Sequence, residues 1–227
     1  MFDLICSVGS SVLSGISSTI SSIGSAFSGF CSGALSVIVP MVEKGISTFS
    51  DIACIAGRVL TALGVFSPTE TVEDIGNRAI QGEQQGIKPE NYDSFQSYIE
   101  ALRHVDLNPE KSLLIRPEDK ISAGLVIGGK LLEEKLNMAE GSMDHLWSLA
   151  AVSPVYFTAD RLTHLLQGCA DVGSILDYFN RRLDVSDSLK VETVLLDADR
   201  KLSPDLPDSA RYQTLDATRD TVYTTLR

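Results

Sequence analysis

The sequence predicts an all-α protein built from a long apolar, Ser/Gly-rich N-terminal helical arm and an acidic multi-helix body. Three observations carry that expectation. Apolar residues recur at steps of three and four along most of the chain. Helix-start and helix-stop residues punctuate it at short intervals. No alternating run of strand-forming residues separates the periodic segments. Of 227 residues, 44% are hydrophobic, 22% charged and 7% aromatic, enough apolar material for one ordinary core or two small ones. Disorder throughout is thereby excluded.

The arm comes first. From Leu4 to Val42 there is no charged residue, and these 39 positions hold 12 Ser and 5 Gly. Along a helix, Phe2, Ile5, Val8, Val12, Ile16, Ile20, Ile23, Phe27, Phe30, Ala34, Val37 and Met41 form one continuous apolar stripe. Ser7, Ser11, Ser14, Ser18, Ser21, Ser25, Ser28 and Ser32 dominate the other face, with Gly15, Gly29 and Gly33 among them. A solvated helix would carry Lys and Glu there. A small uncharged face instead lets backbones approach closely, as in helix packing within membranes, or lines a narrow polar lumen. Each Gly costs about 1 kcal/mol relative to Ala in a helix, so the segment needs neighbours to stay helical. The expected assembly or membrane face is Ile16, Ile20, Ile23, Phe27, Gly29, Phe30 and Gly33. A helix over these 39 positions would run roughly 58 Å, against about 30 Å of hydrocarbon, so this is no ordinary single-span anchor.

Pro40 is expected to kink or end the first helix, residues 4–39, and a second element follows over 45–65. In it Phe49, Ile52, Ile55, Ala56, Val59, Leu60 and Leu63 share a face. Arg58 interrupts its apolar run, which argues against a centred membrane span and for a packed or interfacial helix. Composition changes at Ser67, where SPTETVED supplies a turn, a Ser or Thr cap and acidic first-turn residues. The expected units are therefore an arm over 1–66 and a body over 67–227. Body helices are predicted at 69–85, 91–104, 109–115, 117–137, 142–151, 158–167, 171–184, 187–202 and 208–226. The expected core is Phe95, Leu102, Leu125, Leu132, Leu146, Trp147, Leu162, Leu165, Leu176, Phe179 and Leu195. The last helix carries a narrow seam of Tyr212, Leu215, Arg219, Val222 and Leu226, suited to docking on a partner or to loose attachment.

Charge and motif chemistry narrow the function. Thirty acidic against 19 basic residues give a net charge of −11, with residues 1–66 contributing three acidic and two basic groups and the rest carrying −10. No basic surface is available to track phosphates, so nucleic-acid binding is not expected. Cys6, Cys31, Cys54 and Cys169 show neither zinc nor disulfide-framework spacing; free thiols are expected. The start lacks the basic leader of a secretory signal, which points to synthesis and storage inside a cell or particle. His104, His145 and His164 stand in no metal motif. Asp160 and His164 share a helix face, which with Cys169 offers a weak ligand set, but a surface ion pair is the simpler expectation. GLVIGGKLLEEK holds Gly124, Gly128, Gly129 and Lys130 without a phosphate-loop pattern or a preceding strand, so its glycines are expected to serve close helix packing. Helices 158–167 and 171–184 resemble a helix-turn-helix in outline, with Arg181 and Arg182 away from the positions that meet bases. No catalytic residue, metal or cofactor is assigned, and enzymatic activity is not expected.

In plan, a Ser/Gly/Ala-rich apolar arm over residues 1–66 followed, after SPTETVEDIG, by an acidic helical body, the chain resembles the internal virion or ejection proteins of tailed bacteriophages. The resemblance implies a protein stored in the virion after synthesis in the host cytoplasm and delivered into the host envelope. There, copies would form a ring or conduit for the genome. Its partners would be itself, as a homo-oligomer, other virion or envelope proteins, and a membrane. An acidic collar would repel DNA and so keep a conduit from gripping it. The alternative is a pore-forming or membrane-active effector with a latent apolar arm.

Overall fold

A computed structural model describes residues 36–168 and 171–226. All regular structure among them is helical, with no strand, so the all-α class holds. A helix over 36–43, α1, opens the described chain. After it come α2 (Phe49–Ala62), α3 (Val72–Glu83), a 3-10 turn (Pro89–Asn91), α4 (Phe95–Arg103) and α5 (Pro109–Leu114). Then follow α6 (Pro117–Leu136), α7 (Ser142–Val152), α8 (Ala159–Gly168), α9 (Val172–Phe179), α10 (Val185–Leu202) and α11 (Asp208–Thr225).

The residues that start and stop these helices satisfy the backbone groups left open at the ends. Thr48 caps α2 in a reciprocal box with Asp51. Thr71 and Ser94 accept from the N–H three residues on, at 3.0 and 3.1 Å. Asn108 caps α5 ahead of Pro109, and Asp171 and Asp184 cap α9 and α10. Several helices end in paired backbone bonds around a left-handed residue. After α1, Ile46 N–H reaches Met41 O and Gly45 N–H reaches Val42 O, with Gly45 at φ +69°. Asn137 closes α6 in the same way at φ 51°. Gly45 is thus the stop, and the helix runs through Pro40, where the sequence predicts an end or kink. Arg181, at φ 57°, likewise turns the chain after Phe179, which is why α9 stops short of the predicted 184.

Among the described residues, packing is continuous across the change of composition at 66 and 67. Ile38, Val39, Met41, Phe49, Ile52, Ala56, Val59, Leu60 and Phe66 are buried in one continuous cluster with the core of the later helices. α2 packs on α3, α6, α7 and α8, so the change of composition at Ser67 is not a change of packing unit. The reason is spacing: the apolar face of α2 recurs at three and four residues and fits the body as any amphipathic helix does.

The most extensive contact joins α3 and α6. A Cβ on Gly76 would stand 1.7 Å from Lys120 O, and one on Gly124 would stand 1.9 Å from Val72 O, so the two backbones touch. Gly128 faces Leu60 Cδ1 of α2 at 2.5 Å from the same notional atom. The close-packing role expected for Gly124 and Gly128 is therefore the one they have. Of the expected core, Leu102, Leu125, Leu132, Leu146, Trp147, Leu162, Leu165, Phe179 and Leu195 are buried, while Phe95 and Leu176 are partly buried against it. α11 docks on α7, α9 and α10 through Arg211, Leu215, Thr218 and Val222. Tyr212, expected in that seam, is exposed because it lies one position round the helix from Arg211.

Candidate functional site

The expected face of Ile16, Ile20, Ile23, Phe27, Gly29, Phe30 and Gly33 lies outside the described residues. Within them, a cleft of about 710 Å³ lies between α2 and α8, closed at one end by the start of α3 and floored by Ile121 of α6. Ser50, Ala53, Cys54, Gly57 and Thr61 form its α2 wall, and Ala159, Asp160 and Thr163 face them from α8. These small residues sit opposite the apolar stripe that α2 buries. Because the wall lacks bulk, α2 and α8, which pack together through the apolar face of α2, leave space between them along this small-residue face. A Cβ on Gly57 would meet only Val72 Cγ2, at 3.8 Å.

Charges stand at the edges of this cleft, each with a partner. Arg58 of α2 meets Asp160 of α8 at 3.0 Å, both well exposed, so Asp160 pairs across the cleft and not with His164, the partner its one-turn spacing suggests. Lys120 reaches Glu73 at 3.2 Å. Arg103 grips both oxygens of Glu70, at 2.6 and 2.9 Å, and also donates to Val65 O. The hydrogen bond from Arg103 holds the Glu70 carboxyl below its ordinary range against a smaller effect of burial. This clamp fixes the connection between α2 and α3 and thereby the closed end of the cleft.

A second polar cluster lies at the α6–α7 turn. Lys130 Nζ contacts Glu140 at 2.6 Å and Glu133 at 3.4 Å, while Glu133 Oε1 accepts the Met143 N–H at 2.9 Å. Asp144 is buried beside them, and burial first, with the Glu133 charge second, pushes its carboxyl up to about 7. A third cluster ties α8 to α10: Arg161 pairs with the buried Asp199 and lies 3.8 Å over the Tyr156 ring. Both clusters sit inside helix contacts and fix their geometry.

Among the described residues no group of three His, Cys, Asp or Glu is placed to hold a metal ion, and no helix is long and apolar enough to cross a membrane. Cys169, the third member of the weak set with Asp160 and His164, lies outside them. Arg181 pairs with Asp220 and stacks on Tyr223, and Arg182 pairs with Asp177. The arginines after α9 are thus engaged by acids of this chain. Sequence reasoning missed the α2–α8 cleft, although its signal was present. Ser50, Ala53, Cys54, Gly57 and Thr61 repeat at three and four residues, the same small-face pattern noted in the arm. No family model, no curated protein and no solved structure matches the chain.

Proposed function

We propose that the chain is a non-enzymatic, self-assembling structural protein: a phage virion component whose apolar arm joins copies into a ring or conduit that engages the host envelope during genome delivery. The observation that carries this reading is the uncharged stretch from Leu4 to Val42, with large apolar residues on one face and Ser and Gly on the other. A face without charge or bulk allows identical helices to pack around a closed axis without burying charge. The acidic body, with most of the net charge of −11, then stands as the collar that repels DNA.

Light scattering after size exclusion tests it. The full chain is expected as a defined oligomer, and a chain lacking residues 1–35 as a monomer. A full chain that stays monomeric at concentrations near 0.1 mM, far above the micromolar affinities of ordinary specific contacts, overturns the assembly reading. In the same assay Gly29→Leu and Gly33→Leu should disrupt the oligomer, whereas Phe27→Leu, which only resizes an apolar contact, should leave it. A monomer that nonetheless releases dye from both neutral and anionic vesicles would favour the membrane-active effector instead.

A further inference from the structure

We propose that the α2–α8 cleft is the docking site for this chain's own N-terminal segment, residues 4–35, whose stripe of Ile16, Ile20, Ile23, Phe27 and Phe30 enters it in the unassembled protein. The cleft fits a helix with large apolar side chains. Its walls at Ala53, Gly57 and Ala159 stop short, and only Val72 Cγ2, 3.8 Å away, approaches a Cβ on Gly57. Small wall and bulky stripe are complementary in shape, and burying the stripe there removes it from water.

Charge selects the same occupant. The charged groups at the cleft edge already have partners, in Arg58–Asp160, Glu73–Lys120 and Glu70–Arg103. An incoming charged helix would leave its charges without partners near an apolar floor, which is unfavourable. Residues 4–35 bring none.

Connectivity selects the segment over a foreign helix. It runs directly into α1, and five residues, 44–48, join α1 to α2, the cleft wall. A helix matching the 14 residues of α2 spans about 21 Å and uses less than half of the segment. A tether this short gives an effective concentration on the order of 1 mM, so even docking with an intrinsic dissociation constant of about 0.1 mM covers the cleft about nine-tenths of the time. The inference goes beyond the assembly reading: a chain that assembles exchanges this contact within one molecule for contacts between molecules.

Cys54, a free exposed thiol on the cleft wall, reports cover directly. The rate of maleimide labelling at Cys54, read by peptide mass spectrometry, is expected to be about tenfold lower in the intact chain than in the chain carrying Ile23→Asp and Phe27→Asp. Equal rates overturn the proposal. Gly57→Leu, which fills the cleft with little to displace in the body, should speed chymotrypsin cleavage after Phe27 and Phe30 by a similar factor while the body keeps a cooperative helical melt; unchanged cleavage overturns it. The Ile23→Asp, Phe27→Asp chain is also refolded with an excess of Cys54→Ser chain, whose segment is intact. Its Cys54 should stay fast, and protection by the added chain would assign the cleft to a second copy and overturn docking within one chain. All three readouts are taken on dilute chain that size exclusion shows to be monomeric, so that they report docking within one molecule, whereas the oligomer formed at higher concentration decides the assembly reading.

Discussion

At the scale of single residues, the two best-defined carboxylates respond to pH in opposite directions. Glu70 is held below its ordinary range by Arg103, so its stabilisation is present above that range and is lost on acidification. Asp144 lies in the first turn of α7, where a helix dipole favours a carboxylate by about 0.3–1 kcal/mol. Burial outweighs this, and its carboxyl rises from 3.8 to about 7. The folded chain then keeps a proton that the unfolded chain releases, so this group costs stability as pH rises from about 4 to 7, and the full cost applies above 7. Each tenfold difference in proton affinity between the folded and unfolded chain is worth ~1.4 kcal/mol. Asp144→Asn should therefore stabilise the protein by a few kcal/mol at pH 8, and the gain should fade toward pH 4. Urea unfolding at pH 4.5, 6 and 8 checks this. A gain independent of pH would mean that shape, not ionisation, governs the site.

At the scale of elements, the α3–α6 crossing is a contact of backbone with backbone, which cannot yield as a side chain can. Gly76→Ala and Gly124→Ala would place Cβ atoms 1.7 and 1.9 Å from carbonyl oxygens. Each should destabilise by more than about 4 kcal/mol or prevent folding, at the extreme of single substitutions. Gly128→Ala meets only the end of Leu60, at 2.5 Å, and that side chain can change rotamer; a cost of about 1–3 kcal/mol is expected. Thermal melts of the three variants give the ranking, and an equal cost at all three positions would refute it. Helix content in the crossing works against propensity, since each Gly is about 1 kcal/mol worse than Ala. Burial of Val72, Ile75, Ile121 and Leu125 around the contact offsets that.

At the scale of the whole molecule, where the chain can be cut depends on packing and not on composition. Deleting residues 1–66 removes nine buried apolar side chains, from Ile38 to Phe66. Full burial of a large one contributes about 1.5–3 kcal/mol, so the eight large ones together contribute roughly 12–24 kcal/mol, as much as or more than the 5–15 kcal/mol margin of an ordinary domain. That truncation should be unfolded or aggregated, whereas one beginning at residue 36 should keep a cooperative, helical melt. Circular dichroism of both truncations decides it. A folded product from the longer deletion would show that α1 and α2 are accessory to the core.

Helix number, type and order in the body were legible in the sequence because they depend on local terms. Caps such as Thr71 and Asn108 and three-to-four spacing act within a few residues. The same local terms made Gly124 and Gly128 readable as packing positions, though not their partners. What only the tertiary structure decided depends on contacts distant in the chain. α2 belongs to the body because its apolar face meets α6 and α8, whatever the composition of the arm beside it. Arg58 pairs with Asp160, 102 residues away, and Gly76 and Gly124 meet across two helices. The α2–α8 cleft exists only where a small face of one helix stands opposite a small face of another. A sequence displays each face, and only the fold sets them opposite one another.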